Sequence, residues 1–137
     1  MKNLKLIKFD LNYFQSIAGQ DDNWIAIGMD NCFNQKYYIV QDEDSNKIGI
    51  VGMYDTNDEK NLTHILIDPN YRGLGLLKEF YKLLRQKENP VYLIATIDIK
   101  NISSIKSHEK AGFRKISNEK YEKDFHKFKY KYFNKKG

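Results

Sequence analysis

Three apolar runs of high β-propensity lie close together, separated by two short polar segments. Tyr37 to Gln41, Ile48 to Tyr54 and Leu62 to Ile67 are joined by residues 42–46 (DEDSN) and 56–61 (TNDEKN). Connections this short cannot hold a crossover helix, so the three runs are predicted to pair as an antiparallel meander. Glycines at 49 and 52 sit inside the middle run, where a missing side chain lets another element approach closely.

The period then changes. After Pro69, Leu74, Leu76, Leu77, Phe80, Tyr81, Leu83 and Leu84 mark one face of a helix of about three turns, ended by Asn89–Pro90. Val91 to Ala95 suits a central strand, and Asn101 opens a second helix that carries Ile102, Ile105 and Ala111 and ends at Gly112. Phe113 to Ile116 and Phe125 to Tyr132 read as two further strands. At the front, Leu4 to Phe9 alternates as a strand does, Asp10 caps a helix through Ala18, and Gly19 stops it. Between Gln20 and Lys36, Trp24, Ile25, Ile27 and Met29 suggest one or two weak helical turns. The expected fold is α/β (α+β): a mixed, mostly antiparallel sheet flanked by helices, in one domain spanning residues 1–137.

Several classes of protein are excluded. Cys32 is the only cysteine, so neither an internal disulfide framework nor a cysteine-rich zinc site can form. His64, His108 and His126 lack metal-ligand spacing, and no metal site is expected. No apolar stretch is long enough for a membrane span and the N-terminus does not read as a secretory signal; the expected compartment is the cytoplasm. A net charge of +5 permits an anionic partner, nucleic acid or cofactor. Strict alternation between Phe125 and Phe133 would place lysines on one sheet face and aromatic rings on the other, which is a solvated face and a buried one more readily than a nucleic-acid grip. No nucleic acid and no membrane partner is expected.

The segment Asp68 to Leu77 (DPNYRGLGLL) joins a strand to the amphipathic helix through Gly73 and Gly75. Free N–H groups at a helix start can bind phosphate. The Rossmann pattern fails because Lys78 stands where the third glycine is required, and the Walker pattern fails for want of GK[ST].

What the segment resembles is the R-G-x-G-x-G/A signature of the GNAT superfamily of acyl-CoA N-acyltransferases. Arg72-Gly73-Leu74-Gly75-Leu76-Leu77 follows Ile67-Asp68-Pro69, with Leu77 where a small residue is usual. A second family signature runs Asn, two residues, a small residue, then Tyr-x-Lys-x-Gly-Phe. Here Asn101, Ser104, His108, Lys110, Gly112 and Phe113 occupy those places, with His108 replacing tyrosine. The resemblance covers roughly Tyr37 to the C-terminus.

It implies an N-acetyltransferase that uses acetyl-CoA and a primary amine by direct attack in a ternary complex. The coenzyme A pyrophosphate would rest on the amides of Gly73, Leu74, Gly75, Leu76 and Leu77 beside Arg72. Leu66 and Ile67 would offer the strand edge for the pantetheine arm, with Asn101 nearby. His108 would be the general acid. The strand before the loop carries no carboxylate, which leaves His64 as its candidate base. Cys32 lies outside both motifs and reads as a small hydrophobe. The acceptor, a small-molecule or peptide amine, is left open between polyamine, aminoglycoside, amino acid and peptide N-terminus, and the assembly between monomer and homodimer. The competing readings are a catalytically degenerate acyl-CoA-binding sensor and, more weakly, a nucleic-acid-binding protein.

Overall fold

A β-bulge at the start of the meander decides which side of the sheet holds the main core. The computed structural model describes residues 3–18 and 31–134. Within them β1 (Lys5–Lys8), α1 (Leu11–Ala18), β2 (Phe33–Gln41), β3 (Lys47–Asp55) and β4 (Leu62–Ile67) follow in order, β1 to β4 pairing antiparallel with their neighbours. Val40 pairs with Gly49 but Gln41 pairs with Lys47, so Ile48 is the extra residue. The extra residue shifts the alternation. Ile48 joins Val51 and Met53 in one core cluster, while Ile50 and Ile39 belong to a second.

The larger cluster lies under α2 (Leu77–Glu88), whose Phe80, Tyr81 and Leu84 are fully buried. Each such side chain contributes roughly 2–3 kcal/mol relative to exposure. Close approach of helix and sheet depends on Gly49: a β-carbon there would stand 2.6 Å from the Phe80 ring and 2.4 Å from the Leu66 carbonyl oxygen. The smaller cluster is covered by α1 through Phe14. α2 ends at Asn89, which adopts a left-handed conformation and returns its N–H to the Arg85 carbonyl.

The chain continues through β5 (Tyr92–Asp98), α3 (Ile102–Lys110), β6 (Arg114–Lys115), α4 (Glu119–Phe125) and β7 (Lys127–Phe133). The sheet has seven strands in the order β1-β2-β3-β4-β5-β7-β6, and only β4 and β5 pair in parallel. The mostly antiparallel sheet flanked by helices is thus observed.

Four expectations need correction. The strand expected from Tyr37 begins at Phe33, because the residues ahead of Tyr37 pair with β3 as far as Phe33 opposite Asp55. Trp24 to Met29, and Gly19, lie outside the described residues. Second, α4 was not expected: Asn118 caps it through Tyr121 N, and Phe125 ends this helix instead of opening the last strand. Third, the predicted Phe113–Ile116 strand contracts to Arg114–Lys115, and β5 runs on to Asp98. Fourth, the lysine face of β7 is not simply solvated. Lys129 pairs with Glu59 and Lys131 lies over the Tyr92 and Phe133 rings at 4.3 and 4.6 Å. Among the described residues no helix is long and apolar enough to cross a membrane, and no cluster of side chains could hold a metal ion.

Candidate active site

β4 and β5 touch at one register position, Leu62 opposite Ile94, and then part. Their contact is fixed by Asn61, whose carbonyl accepts from Ile94 N at 2.9 Å and whose amide donates to the Tyr92 carbonyl at 3.1 Å. Beyond it, Thr63 Oγ1 donates to the Ile94 carbonyl at 3.0 Å. Beyond Leu62 no further register pair joins the two strands among the described residues, and β4 from Ile65 to Ile67 presents its edge on this side. An unpaired strand edge can take an extended amide-bearing ligand as an added strand.

Two clefts open from this notch and share Ile65, Asn101 and Ser104. The first, of about 530 Å³, runs along Leu66 and Ile67 to the loop that starts α2. Asp68 organises that loop by accepting from Asn70 N and from the Tyr13 hydroxyl of α1. Arg72 Nε donates to the Ile67 carbonyl at 3.1 Å. Gly73 and Gly75 have φ of +80° and +70°, a region that side chains other than glycine disfavour. No atom lies within 4 Å of where a β-carbon would be at either position, so conformation and not crowding requires these glycines. Leu76 is buried and no side chain caps α2, which leaves the first-turn amides to face the cleft. Leu77 is half-buried, packing against the main core while it also lines the cleft. An open cradle of amides at the positive end of a helix, with Arg72 at its rim, suits a pyrophosphate group.

Asn101 lines both clefts, and its side-chain oxygen caps α3 by accepting from Ser104 N at 3.2 Å. Leu74 is exposed on the loop.

The second cleft, about 400 Å³, holds both candidate histidines. His64 is packed between Tyr37 and Tyr54, with its Nδ1 2.6 Å from the Tyr37 hydroxyl. Burial pushes its pKa down to about 4, so the ring is neutral at neutral pH. His108 is 2% exposed on the inner side of α3. Its Nδ1 lies 2.8 Å from the Ser104 carbonyl, which can only accept, and 3.3 Å from the Ser104 hydroxyl; the shorter contact requires that this nitrogen carry the proton. Burial lowers the pKa of this ring too, against a raising effect from the Ser104 carbonyl. In the neutral ring Nε2 is then bare, and it accepts from the Tyr81 hydroxyl at 2.8 Å.

Tyr81 was read from sequence only as part of the apolar face of α2. Its ring fills that role, but its hydroxyl reaches the cleft and meets Thr63 Oγ1 at 3.2 Å. No spacing in the chain signals a pair 27 residues apart on two helices. Lys127 and Lys129 stand on the β7 side of the same cleft. Cys32 is half-buried against the smaller core and does not line either cleft.

The comparisons agree with the fold. The sequence matches the profile of the acetyltransferase (GNAT) domain over residues 9–114. No curated protein matches the sequence. Among solved structures, a spermidine N-acetyltransferase chimera of Vibrio cholerae SpeG and hSSAT superposes with a TM-score of 0.72 at 14% identity, covering 96% of each chain. A dodecameric spermidine N-acetyltransferase of Vibrio cholerae superposes at 0.68 and 14% identity, covering 96% of this chain and 92% of that one. An acetyltransferase of Agrobacterium tumefaciens superposes at 0.69 and 15% identity, over 97% and 92%. With the family profile spanning most of the chain, the protein belongs to the GNAT family of acetyl-CoA-dependent acetyltransferases.

Proposed function

We propose that this acetyltransferase moves the acetyl group of acetyl-CoA directly to a primary amine in a ternary complex, without an acyl-enzyme. The observation that carries the reading is the single-point contact of β4 and β5. It sets an unpaired strand edge and an amide-lined loop on one side, and a cleft of titratable groups on the other. Gly73 to Leu77 and Arg72 would hold the pyrophosphate of coenzyme A. Leu66 and Ile67 would pair with its pantetheine arm, and Asn101 would lie beside that arm. Acetyl-CoA so held would bring its thioester to the notch beside Thr63, where the second cleft begins.

The amine enters from the His64 side. A neutral imidazole with a pKa of about 4 can accept a hydrogen bond from a neutral amine and orient it, but it binds a proton too weakly to strip an alkylammonium. The acceptor therefore reacts as the free base. His108, at the tyrosine position of the family signature, is the group on the other wall that returns a proton to the leaving thiol. A small acceptor fits the 400 Å³ cleft. The similar spermidine enzymes make a polyamine one member of the panel worth testing.

Purified protein with acetyl-CoA should show a rise in melting temperature, and addition of amines from that panel should release free thiol in proportion to acetylated product. Absence of both would refute the transfer reading, and a rise in melting temperature without thiol release would leave the acyl-CoA-binding, sensor-like reading in its place.

A further inference from the structure

We propose that Tyr81 and His108 form one proton relay that takes the proton from the attacking amine and returns the same proton count to the leaving thiol. The proposal rests on the amine-acetyltransferase reading above and adds a residue to it.

The hydrogen-bond directions are fixed by elimination. Two groups of Ser104 approach His108 Nδ1: the carbonyl at 2.8 Å, which must accept, and the hydroxyl at the longer distance of 3.3 Å; a bare Nδ1 would face the nearer carbonyl acceptor to acceptor, so Nδ1 holds a hydrogen. Nε2 of the neutral ring is bare, and only the Tyr81 hydroxyl, 2.8 Å away, can supply it. The O–H bond of Tyr81 therefore points at His108, and one side of its oxygen is left as an acceptor. That oxygen stands in the crotch where β4 and β5 part, next to Thr63, in the cleft that also holds His64.

Such an arrangement has a defined response to a proton arriving from the cleft. The Tyr81 oxygen accepts it and passes its own hydrogen to His108 Nε2. The imidazolium so formed is satisfied at both ends, by the Ser104 carbonyl at Nδ1 and by the Tyr81 oxygen at Nε2. No carboxylate is needed, and Thr63, His64 and Ile65 on β4 supply none.

The balance closes. The amine nitrogen forms the new bond to the acyl carbon and gives up one hydrogen to the Tyr81 oxygen. The carbon–sulfur bond breaks with its electron pair on sulfur. His108 Nε2–H returns to Tyr81, and the Tyr81 hydrogen goes to sulfur, giving an N-substituted acetamide and free thiol with the enzyme restored. Burial of both groups suits a transient store: a neutral resting ring discharges readily once a thiolate appears.

Tyr81→Phe keeps the buried ring and removes only the hydroxyl. His108→Gln keeps a polar partner for Tyr81 but cannot store a proton. Both are assayed by thiol release from acetyl-CoA with two small acceptors, ethylamine and the less basic hydroxylamine, and by acetyl-CoA-dependent melting. Expected is a loss of about 100-fold with ethylamine and under 10-fold with hydroxylamine for each variant, the usual scale for one acid–base group. The acetyl-CoA-dependent rise in melting temperature should be unchanged. Wild-type rates in Tyr81→Phe, equal losses with both amines, or a lost acetyl-CoA response would overturn the relay. A wild-type protein that binds acetyl-CoA yet acetylates neither amine nor any of the panel would overturn the transfer reading beneath it, and the relay with it.

Discussion

The hydroxyl of Tyr13 on α1 donates to Asp68, 55 residues away, at 3.2 Å. The same carboxylate accepts from Asn70 N and holds the Pro69–Tyr71 turn that leads into Gly73 and Gly75. Desolvation and the Asp68 charge push the Tyr13 pKa well up, so the phenol stays protonated and donating. The first helix is in this way tied to the loop proposed to hold pyrophosphate. Tyr13→Phe should cost about 1 kcal/mol of stability, the net worth of such a bond. It should also weaken acetyl-CoA binding several-fold, read by calorimetry, with little change in kcat. Unchanged affinity would show that the turn holds its shape without α1.

Gly73→Ala and Gly75→Ala separate conformational strain from crowding. Open space surrounds both positions, but their φ values of +80° and +70° are those L side chains resist. Each alanine should cost about 1 kcal/mol if the loop keeps its shape. A loop that relaxes instead loses its inward-facing amides, so acetyl-CoA should bind at least 10-fold more weakly while the melting temperature moves only a few degrees. Substitutions that leave acetyl-CoA affinity intact would refute the role given to these amides.

His64 makes stability depend on pH in a known direction. Its pKa falls from an ordinary 6.5 to about 4 on folding because burial penalises the charged ring. The folded state thus binds fewer protons than the unfolded one between those values, and stability drops as pH falls from about 6.5 toward 4. The contribution is roughly 3 kcal/mol at its full extent. His108 shifts the same way. Denaturant melts at pH 7, 6 and 5 should show the decline, and His64→Gln should flatten it, whatever its effect on stability at pH 7. A slope untouched by the substitution would place the linkage elsewhere.

The sequence was informative where a physical rule is local. Short polar turns made β2, β3 and β4 a meander, and apolar spacing placed Phe80, Tyr81 and Leu84 inward on α2. The two family signatures located the loop and His108 because both are contiguous in the chain. What could not be read depends on meetings between distant residues. Tyr81 carries the same apolar signal whether its hydroxyl is idle or meets His108. The start of β2 at Phe33 is set by pairing with Asp55, 22 residues on, and not by the local pattern that begins at Tyr37. α4 is short, and its cap at Asn118 became meaningful only once β7 was seen to begin at Lys127. Lys129 looked solvated because its partner Glu59 lies 70 residues upstream.

Gly49 offers the opposite test to the loop glycines. It lies near the start of β3, and an alanine β-carbon would meet the Leu66 carbonyl oxygen at 2.4 Å and two Phe80 ring atoms at 2.6 and 2.8 Å. The ring, carried by α2, is fully buried against the sheet, and the carbonyl belongs to β4, the strand proposed to meet the pantetheine arm. Overpacking of this kind costs typically 1–3 kcal/mol. Gly49→Ala should therefore lower the melting temperature by about 3–12 °C, at roughly 3–4 °C per kcal/mol for a chain of this size. Because α2 and β4 must separate to admit the methyl group, acetyl-CoA affinity should fall together with stability. The loop alanines, by contrast, should lose affinity with stability nearly intact. Finding both readouts unmoved in Gly49→Ala would mean that helix and sheet are not held at the distance described, and the notch between β4 and β5 would lose its supporting wall.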